Sequence, residues 1–236
     1  MRNHPKTAAI IPSAGKGRRL GFKKKPFLLL NGRPILAHTL LAFEKCRLID
    51  AIFVAVAKKD MELCRKNIIE KYGFKKVKTI LAGGKERQDS VRLGLDAMGN
   101  RFNAVVIHDG ARPLVTAKLI SDTVKTAYKY GSAITAVPLK DTVKEVSKGR
   151  VKKTIDRNTL RLAQTPQAFK CRILKKACEK AKKDGFIATD ESTLIERLGR
   201  KVAIVCGSYE NIKITTKEDL RFAGCILRGR KKRKSP

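Results

Sequence analysis

Short apolar runs alternate with longer segments of helical periodicity along most of the chain. Residues 49–57 form a near-continuous apolar run, typical of a parallel strand that is buried on both faces. The same alternation predicts strands at 7–11, 76–81, 104–107, 133–139 and 202–206, and helices at 34–45, 61–72, 89–98, 118–130, 172–183, 191–198 and 217–227. Strands and helices that alternate in this way indicate an α/β fold with a mostly parallel, Rossmann-like sheet.

One segment breaks the alternation. Residues 141–156 contain two short halves of alternating polarity around a Ser-Lys-Gly turn, which is typical of a β-hairpin. The halves are too polar for core strands, so we interpret them as part of a protruding arm at about 138–158. Because neither a repeat nor a linker divides the chain, we expect one domain over 1–227 and a basic tail at 228–236.

The composition narrows the class of protein. No apolar run reaches the roughly 18 residues that span a bilayer, and the first residues lack the apolar stretch of a signal peptide. Six cysteines without a CxxC pair, together with three histidines, disfavour a zinc finger or a disulfide framework. We therefore expect a cytoplasmic protein with reduced thiols and no membrane association, in which Cys171 and Cys178 pack in the core.

The charge is strongly positive. The chain has 54 Lys and Arg against 21 Asp and Glu, a net charge of +33 that would attract nucleic acid, acidic membranes or phosphorylated substrates. Most of this charge is spread along predicted helices, as on a solvated surface, and the absence of Trp leaves few aromatic platforms for bases. We expect only non-specific attraction to nucleic acid, although a nucleic-acid-binding protein on an enzyme fold stays an alternative.

A glycine-containing loop follows the first predicted strand. Its sequence, Pro-Ser-Ala-Gly-Lys-Gly-Arg-Arg at 12–19, offers small residues and backbone N–H groups that can surround phosphate oxygens. It is neither a Walker loop nor a GxGxxG fingerprint, since Leu20 stands where the third glycine would be. The alternative is a basic surface turn.

Two further loops follow predicted strands. Residues 81–90 carry two glycines at the start of a helix and suit an edge-on grip of a base or sugar, although an ordinary capped loop is possible. In the segment 108–113 (His-Asp-Gly-Ala-Arg-Pro), Asp109 is a candidate for Mg²⁺ or a sugar hydroxyl, and Arg112 for phosphate or for pairing with Asp109. We interpret His108 as a packed structural imidazole rather than a base.

The loops and several later segments occur in a characteristic order. They are 12–19, Lys-Pro-Phe at 25–27, 83–90, 108–113, Asp-Thr at 141–142, Ile-Asp-Arg at 155–157, Gln-Thr-Pro-Gln at 164–167, Thr-Asp-Glu at 189–191 and Asn-Ile-Lys-Ile-Thr at 211–215. Over residues 7–224 this set resembles the 2-C-methyl-D-erythritol 4-phosphate cytidylyltransferase family. The alternative is ribitol-5-phosphate cytidylyltransferase, which shares three of the segments, but 155–157 and 189–193 look closer to the methylerythritol enzymes.

The resemblance implies a nucleotidyltransferase-type α/β fold and a reaction in isoprenoid-precursor synthesis. CMP would pass from CTP to 2-C-methyl-D-erythritol 4-phosphate, giving 4-diphosphocytidyl-2-C-methyl-D-erythritol and pyrophosphate. Mg²⁺ would be held mainly by the CTP phosphates, without a metal ligand from the protein.

The resemblance also assigns the nucleotide and catalytic residues. Those that would wrap the triphosphate or read the cytosine edge are Ala14, Gly15, Gly17, Gly84, Arg87 and Ser90. Arg19 and Lys25 match positions that stabilise the transition state at the α-phosphorus, and Lys213 would orient the attacking phosphate. Such cations lower the barrier because one anion attacks another.

Further residues would bind the sugar-alcohol phosphate, namely Asp109, Ala111, Arg112, Thr142 and Thr189. In the family the arm is exchanged between two subunits, so Thr142 and the catalytic Arg157 would complete the partner's site. A homodimer through the arm is therefore expected.

Two positions depart from the family pattern. Lys85 stands where a carboxylate is common and is expected to alter local nucleotide contacts. Gly110 stands where alanine is common, and we expect this change to be harmless apart from added backbone freedom.

Overall fold

The computed structural model describes residues 5–15 and 25–232, without the side chains of 231 and 232. In chain order its strands are β1 (Thr7–Pro12), β2 (Leu29–Leu30), β3 (Arg33–Pro34), β4 (Ala51–Val56), β5 (Val77–Ala82), β6 (Ala104–Ile107), β7 (Ser132–Pro138), β8 (Val143–Ser147), β9 (Arg150–Ile155), β10 (Arg161–Lys170) and β11 (Ala203–Cys206). Its helices are α1 (Ile35–Lys45), α2 (Met61–Cys64), α3 (Arg87–Met98), α4 (Ala117–Tyr130), α5 (Cys171–Lys183), α6 (Glu191–Glu196) and α7 (Lys217–Lys232).

A seven-stranded sheet forms the centre of the described part, in the order β11-β7-β10-β6-β1-β4-β5. β1 pairs in parallel with β4 and β6, and the β4–β5 and β11–β7 pairs are also parallel. β10 alone is antiparallel to its neighbours in this sheet, β6 and β7. The expected mostly parallel α/β fold is confirmed.

Successive residues of the buried strands point to opposite faces of the sheet. In β1, Ala9 and Ile11 belong to one apolar cluster, which includes residues of α1 and α4. Ala8 and Ile10 belong to a second cluster, which includes residues of α3, α5 and α6. Helices therefore cover the sheet on both sides, which is why its central strands are continuously apolar.

The sequence pattern predicts no helix or strand at 157–170, where the structure contains the central strand β10. Its middle reads Gln-Thr-Pro-Gln, and a proline cannot donate to a ladder hydrogen bond. The pairing with β7 shifts register between Gln164 and Gln167, which takes Pro166 out of the regular ladder. These buried glutamines find internal partners, for example Gln167 Nε2 donates to Asp190 Oδ2 at 2.7 Å. The polar pattern thus belongs to a buried strand that supports neighbouring loops.

Two helices differ from their predicted forms. The helix predicted at 61–72 begins as α2 and continues as a π-helical segment, Arg65–Glu70. α7 continues to Lys232 rather than ending at 227, so the start of the predicted basic tail is helical. Arg230 donates to Glu210 Oε2 at 2.8 Å and to the Leu114 carbonyl oxygen at 2.9 Å. This part of the tail is therefore docked on the domain.

The predicted hairpin is present. β8 and β9 form an antiparallel two-stranded sheet, separate from the central sheet. Its apolar side chains Val146 and Val151 are 59% and 62% exposed. The arm therefore presents apolar surface outside the core.

All six cysteines lie in the described part and are free, and Cys171 and Cys178 are buried in the core as expected. Burial raises the pKa of Cys171 to about 11 and that of Cys178 to about 12, so both remain protonated thiols. Among the described helices, none combines the length and hydrophobicity needed to cross a bilayer.

His108 is a packed structural residue, as expected. Its side chain is fully buried, its ring centroid lies 5.2 Å from that of Phe43, and its Nε2 lies 3.2 Å from the Arg112 carbonyl oxygen. Burial disfavours the charged imidazolium and lowers the pKa of His108 from 6.5 to about 3.

This burial predicts a pH-dependent stability. As pH falls below 6.5 the unfolded chain binds a proton at His108 that the folded protein does not, so stability is lost. We expect the free energy of unfolding, measured with urea at pH 7 and pH 5, to fall by about 2 kcal/mol more in the wild type than in His108→Gln. Glutamine can donate to the same carbonyl without titrating. An equal fall in both proteins would contradict the neutral, buried imidazole.

Candidate active site

Three of the predicted loops meet at the carboxyl edge of the parallel strands. The N–H of Ser13, after β1, donates to the Ala55 carbonyl oxygen at 2.7 Å. The N–H of Gly83, after β5, donates to the carbonyl oxygen of Val56 at 2.8 Å. The N–H of Gly110, after β6, donates to that of Pro12 at 3.3 Å. Adjacent parallel strands end on the same side, so their loops enclose one cleft.

The cleft is a cavity of about 660 Å³. The predicted site residues that line it are Ala14, Gly15, Lys25, Gly84, Arg87, Ser90, Asp109, Ala111 and Lys213. Lys85, the departure from the family pattern, also lies on its wall. The structure therefore brings together the glycine loop, the 81–90 loop, the Asp109 loop and the 211–215 segment.

Other predicted residues do not line this cavity. Gly17 and Arg19 lie outside the described residues. Arg112 contacts Asp109 without lining the cavity, and its Nη1 donates to the Asn211 carbonyl oxygen at 2.8 Å. Thr142, Arg157 and Thr189 are exposed and are not among the residues that line the cavity, and Arg157 Nη1 donates to the Lys140 carbonyl oxygen.

The 81–90 loop packs directly on the glycine loop. A Cβ placed on Gly83 would lie 2.2 Å from Ala14 Cβ, so only glycine permits this approach. Ser90 is 2% exposed, and its hydroxyl accepts the Gly84 N–H at 3.1 Å. In this structure Ser90 therefore holds the backbone of the loop in place. The loop then enters α3 through a capping box formed by Glu86 and Asp89.

The carboxylate of Asp109 lies among three cations. Oδ1 accepts from Arg87 Nε at 2.9 Å, and Oδ2 lies 2.8 Å from Lys213 Nζ and 3.7 Å from Arg112 Nε. Burial by itself would raise the pKa of Asp109, but the attraction of Arg87 and Lys213 outweighs it and holds that pKa well below its usual range. Asp109 is therefore ionised at neutral pH. Of the two roles considered for Arg112, pairing with Asp109 is the one that the structure contains.

Arg87 contacts a second carboxylate, which sequence reasoning gave no role. Its Nη1 lies 2.7 Å from both carboxylate oxygens of Glu191, at the start of α6. Glu191 is 1% exposed. Burial lowers the pKa of Arg87, but Glu191 and Asp109 outweigh that effect and raise it above its ordinary value. The sequence feature that could have pointed to Glu191 is the Thr-Asp-Glu segment at 189–191, one of the segments that carry the family resemblance.

The strand β10 holds two walls of the site together. Thr165 Oγ1 accepts the backbone N–H of Asp109 at 3.0 Å. Asn211 Nδ2 donates to the Thr165 carbonyl oxygen at 2.8 Å and lies 3.3 Å from Gln164 Oε1. The Gln-Thr-Pro-Gln segment therefore fixes both the Asp109 loop and the segment that carries Lys213.

The similarity of the chain to known proteins agrees with this arrangement. The family model described as 2-C-methyl-D-erythritol 4-phosphate cytidylyltransferase matches residues 7–229. The chain belongs to this family. Similar curated proteins of that name come from Syntrophus aciditrophicus (48% identity, 95% of this chain and 97% of the other) and Geobacter metallireducens (46% identity, 93% and 97%).

Solved structures of cytidylyltransferase-family proteins share the fold. The crystal structure of 4-diphosphocytidyl-2C-methyl-D-erythritol synthase from Anaerococcus prevotii is 35% identical and superposes with a TM-score of 0.85, covering 96% of this chain and 97% of the other. The Thermus thermophilus cytidylyltransferase is 31% identical, with a TM-score of 0.80 over 94% and 99% of the two chains. The expected family, its nucleotidyltransferase class and its fold are confirmed.

The described residues offer few ligands for the Mg²⁺ that the family resemblance implies. Among the described residues, no group of three His, Cys, Asp or Glu side chains could hold a metal. Asp109 lies on the cavity wall, but both its oxygens already contact cations. Mg²⁺ commonly uses one or two carboxylates plus substrate phosphates and keeps several waters. Asp109 and Glu86 are the carboxylates that line the cavity, and an ion beside either of them would need its remaining ligands from water and substrate phosphates.

Gly110, the second departure from the family pattern, packs closely against Ser13. A Cβ at position 110 would lie 1.9 Å from Ser13 Oγ and 3.2 Å from Ser13 Cβ. Gly110 thus leaves the space that the Ser13 hydroxyl occupies between the first and third loops of this cytidylyltransferase-family site.

This packing predicts a coupled pair of substitutions. Gly110→Ala should lower the free energy of unfolding by about 1–3 kcal/mol, because it overpacks the contact with Ser13. In a Ser13→Ala background the same change should cost much less, since the hydroxyl is gone. A double-mutant cycle by urea denaturation measures this coupling. Equal costs in both backgrounds would show that the hydroxyl simply rotates away.

Proposed function

We propose that this protein transfers CMP from CTP to 2-C-methyl-D-erythritol 4-phosphate and releases pyrophosphate. The chain belongs to the cytidylyltransferase family, and one cavity is lined by Lys25 and the glycine loop together with Asp109 and Lys213; this observation supports the proposal most directly. The cavity thus combines phosphate-binding groups with a carboxylate and a second lysine. This arrangement suits an anionic nucleotide and a polyhydroxylated phosphate side by side.

The reaction is an in-line displacement in which the chain supplies positioning and positive charge. A phosphate oxygen of the methylerythritol substrate bonds to the α-phosphorus of CTP, and the bond from that phosphorus to the bridging oxygen of pyrophosphate breaks. The electron pair leaves with pyrophosphate. The attacking phosphate oxygen is already anionic, so the reaction needs neither a covalent intermediate with the protein nor proton transfer by the buried neutral His108.

Each group of residues that lines the cavity has a defined task in this proposal. Ala14 and Gly15 surround the triphosphate, and Lys25, with Arg19, offsets negative charge that accumulates at the α-phosphorus. Lys213 orients the attacking phosphate, while Asp109 accepts hydrogen bonds from the substrate hydroxyls. Gly84 and Ser90 shape a narrow pocket for cytosine, and Mg²⁺ bound by the triphosphate would neutralise part of its charge.

We further propose a cytoplasmic homodimer in which the arm of one subunit completes the site of the other. Thr142 and Arg157 stand away from the cavity of their own subunit, and the arm exposes Val146 and Val151. Both features suit an arm that is buried against a second copy. Nucleic acid would bind only through non-specific attraction to the net charge of +33.

The reaction is tested by pyrophosphate release. With Mg²⁺, CTP and 2-C-methyl-D-erythritol 4-phosphate we expect turnover, and much less with UTP, ATP or ribitol 5-phosphate. Lys213→Ala should lower turnover about 100-fold or more, because it removes a positioned cation, with little change in thermal stability. Lys176→Ala, which removes an exposed lysine of α5, is the matched control. Turnover with ribitol 5-phosphate alone would overturn the assignment.

The shared site is tested by mixing variants. Arg157→Ala has a defective arm and Lys213→Ala a defective cavity, so only a mixed dimer contains one intact site. After co-refolding in equal amounts, about a quarter of the wild-type sites should recover. A mixture of Arg157→Ala with the Arg157→Ala/Lys213→Ala double variant should recover none. Absence of recovery in the first mixture would argue against arm exchange.

A further inference from the structure

Glu191 is a buried carboxylate that the proposed reaction does not use. It is 1% exposed and stands at the start of α6, outside the cavity lining. Both its oxygens lie 2.7 Å from Arg87 Nη1, and Arg87 is itself the first residue of α3. A carboxylate removed from water in this way is costly unless its partner compensates for the lost solvation. Burial raises the pKa of Glu191, and the charge and hydrogen bonds of Arg87 oppose that shift and favour the ionised form.

Arg87 connects Glu191 to the substrate wall. Its Nε donates to Asp109 Oδ1 at 2.9 Å, while Lys213 Nζ contacts Asp109 Oδ2 at 2.8 Å. One guanidinium is therefore shared between two carboxylates, and one of these carboxylates is shared with Lys213. Glu191 reaches the cavity only through this series of contacts.

The charges show what Glu191 contributes. Without it, Asp109 would be the sole carboxylate facing Arg87, Arg112 and Lys213 in this cluster. Arg87 would then be free either to take both Asp109 oxygens from Lys213 or to turn into the cavity, whose wall it already forms. With Glu191 in place, Nη1 is held away from Asp109 and Oδ2 stays with Lys213.

We propose that Glu191 is a positioning residue for the sugar-alcohol phosphate. It fixes Arg87, Arg87 fixes Asp109, and Asp109 holds the ammonium group that orients the attacking phosphate. The inference rests on the proposed function, because that function assigns Asp109 and Lys213 to the acceptor substrate. It follows that loss of the Glu191 charge should affect the acceptor more than CTP.

The test is a substitution that keeps the shape and removes the charge. Glu191→Gln should raise the KM for 2-C-methyl-D-erythritol 4-phosphate about tenfold, the effect of one lost charge-assisted contact. The KM for CTP should change by less than about twofold. Glu218→Gln is the matched control, since Glu218 is an exposed acidic residue in the first turn of α7. It should leave both KM values unchanged.

A double-mutant cycle separates positioning from a structural role. Because Glu191 acts through Asp109, Glu191→Gln should have little further effect on the acceptor KM in an Asp109→Asn background. A residue that merely stabilises α6 would produce the same factor in both backgrounds. Thermal melts of each variant show that the folded states are comparable.

The positioning role of Glu191 is overturned if Glu191→Gln leaves both KM values unchanged or raises them alike. It is also overturned if Glu191→Gln raises the acceptor KM by the same factor in the Asp109→Asn background. If Glu191→Gln does not fold, Arg87→Lys takes its place, because a lysine cannot bridge both carboxylates and should give the same acceptor-selective defect. Wild-type protein without turnover on methylerythritol phosphate would reject the proposed function itself, whereas active wild type with an unaffected variant rejects only the role of Glu191.

Discussion

The ionised carboxylate of Asp109 is the constraint on which the arrangement of the site depends. A buried charge is tolerated only when it is paired, and here three cations from two segments and α3 surround it. Its backbone N–H is held by Thr165 of β10. The positions of α3, of the loop after β6 and of the 211–215 segment are therefore linked, because moving any one of them would leave charges unpaired.

This pairing also changes how the overall charge should be understood. The chain carries a net charge of +33. Within the site, however, the carboxylates of Asp109 and Glu191 neutralise part of the positive charge of Arg87, Arg112 and Lys213. Much of the excess lies on solvated faces such as that of α5, where Lys176, Lys180 and Lys182 are exposed. The local field that an anionic substrate meets is therefore set by a few pairs at short distance. The diffuse charge acts at longer range, where it can steer substrates and is screened by salt.

The features that the sequence revealed are those that depend on local pattern. Buried parallel strands need apolar side chains on both faces, so β4 and β6 could be recognised from runs of such residues. Loops that follow these strands carried the glycines and Asp109, and the topology brings the carboxyl ends together. The location of the cleft followed from these two facts.

Other features depend on contacts between distant residues. β10 escaped recognition because its buried polar side chains, such as Gln164 and Gln167, form hydrogen bonds to other segments rather than to water. Glu191 and Arg87 are 104 positions apart, and neither neighbourhood shows that they meet. A side chain at position 110 would contact Ser13 in another loop, and the sequence around Gly110 gives no sign of that contact.

The contact between Ser13 and Gly110 also restricts the order in which this site can change over evolutionary time. A lineage that acquires a side chain at position 110 while Ser13 is present must move the Ser13 hydroxyl, whose oxygen lies 1.9 Å from the new Cβ. A lineage that first loses the hydroxyl at position 13 leaves only a small space, which a methyl group at 110 can then fill. Of the two routes between the Ser–Gly and Ala–Ala combinations, the one that begins at position 13 is therefore the more accessible to selection. The identity of a residue in one loop thus depends on the history of the other.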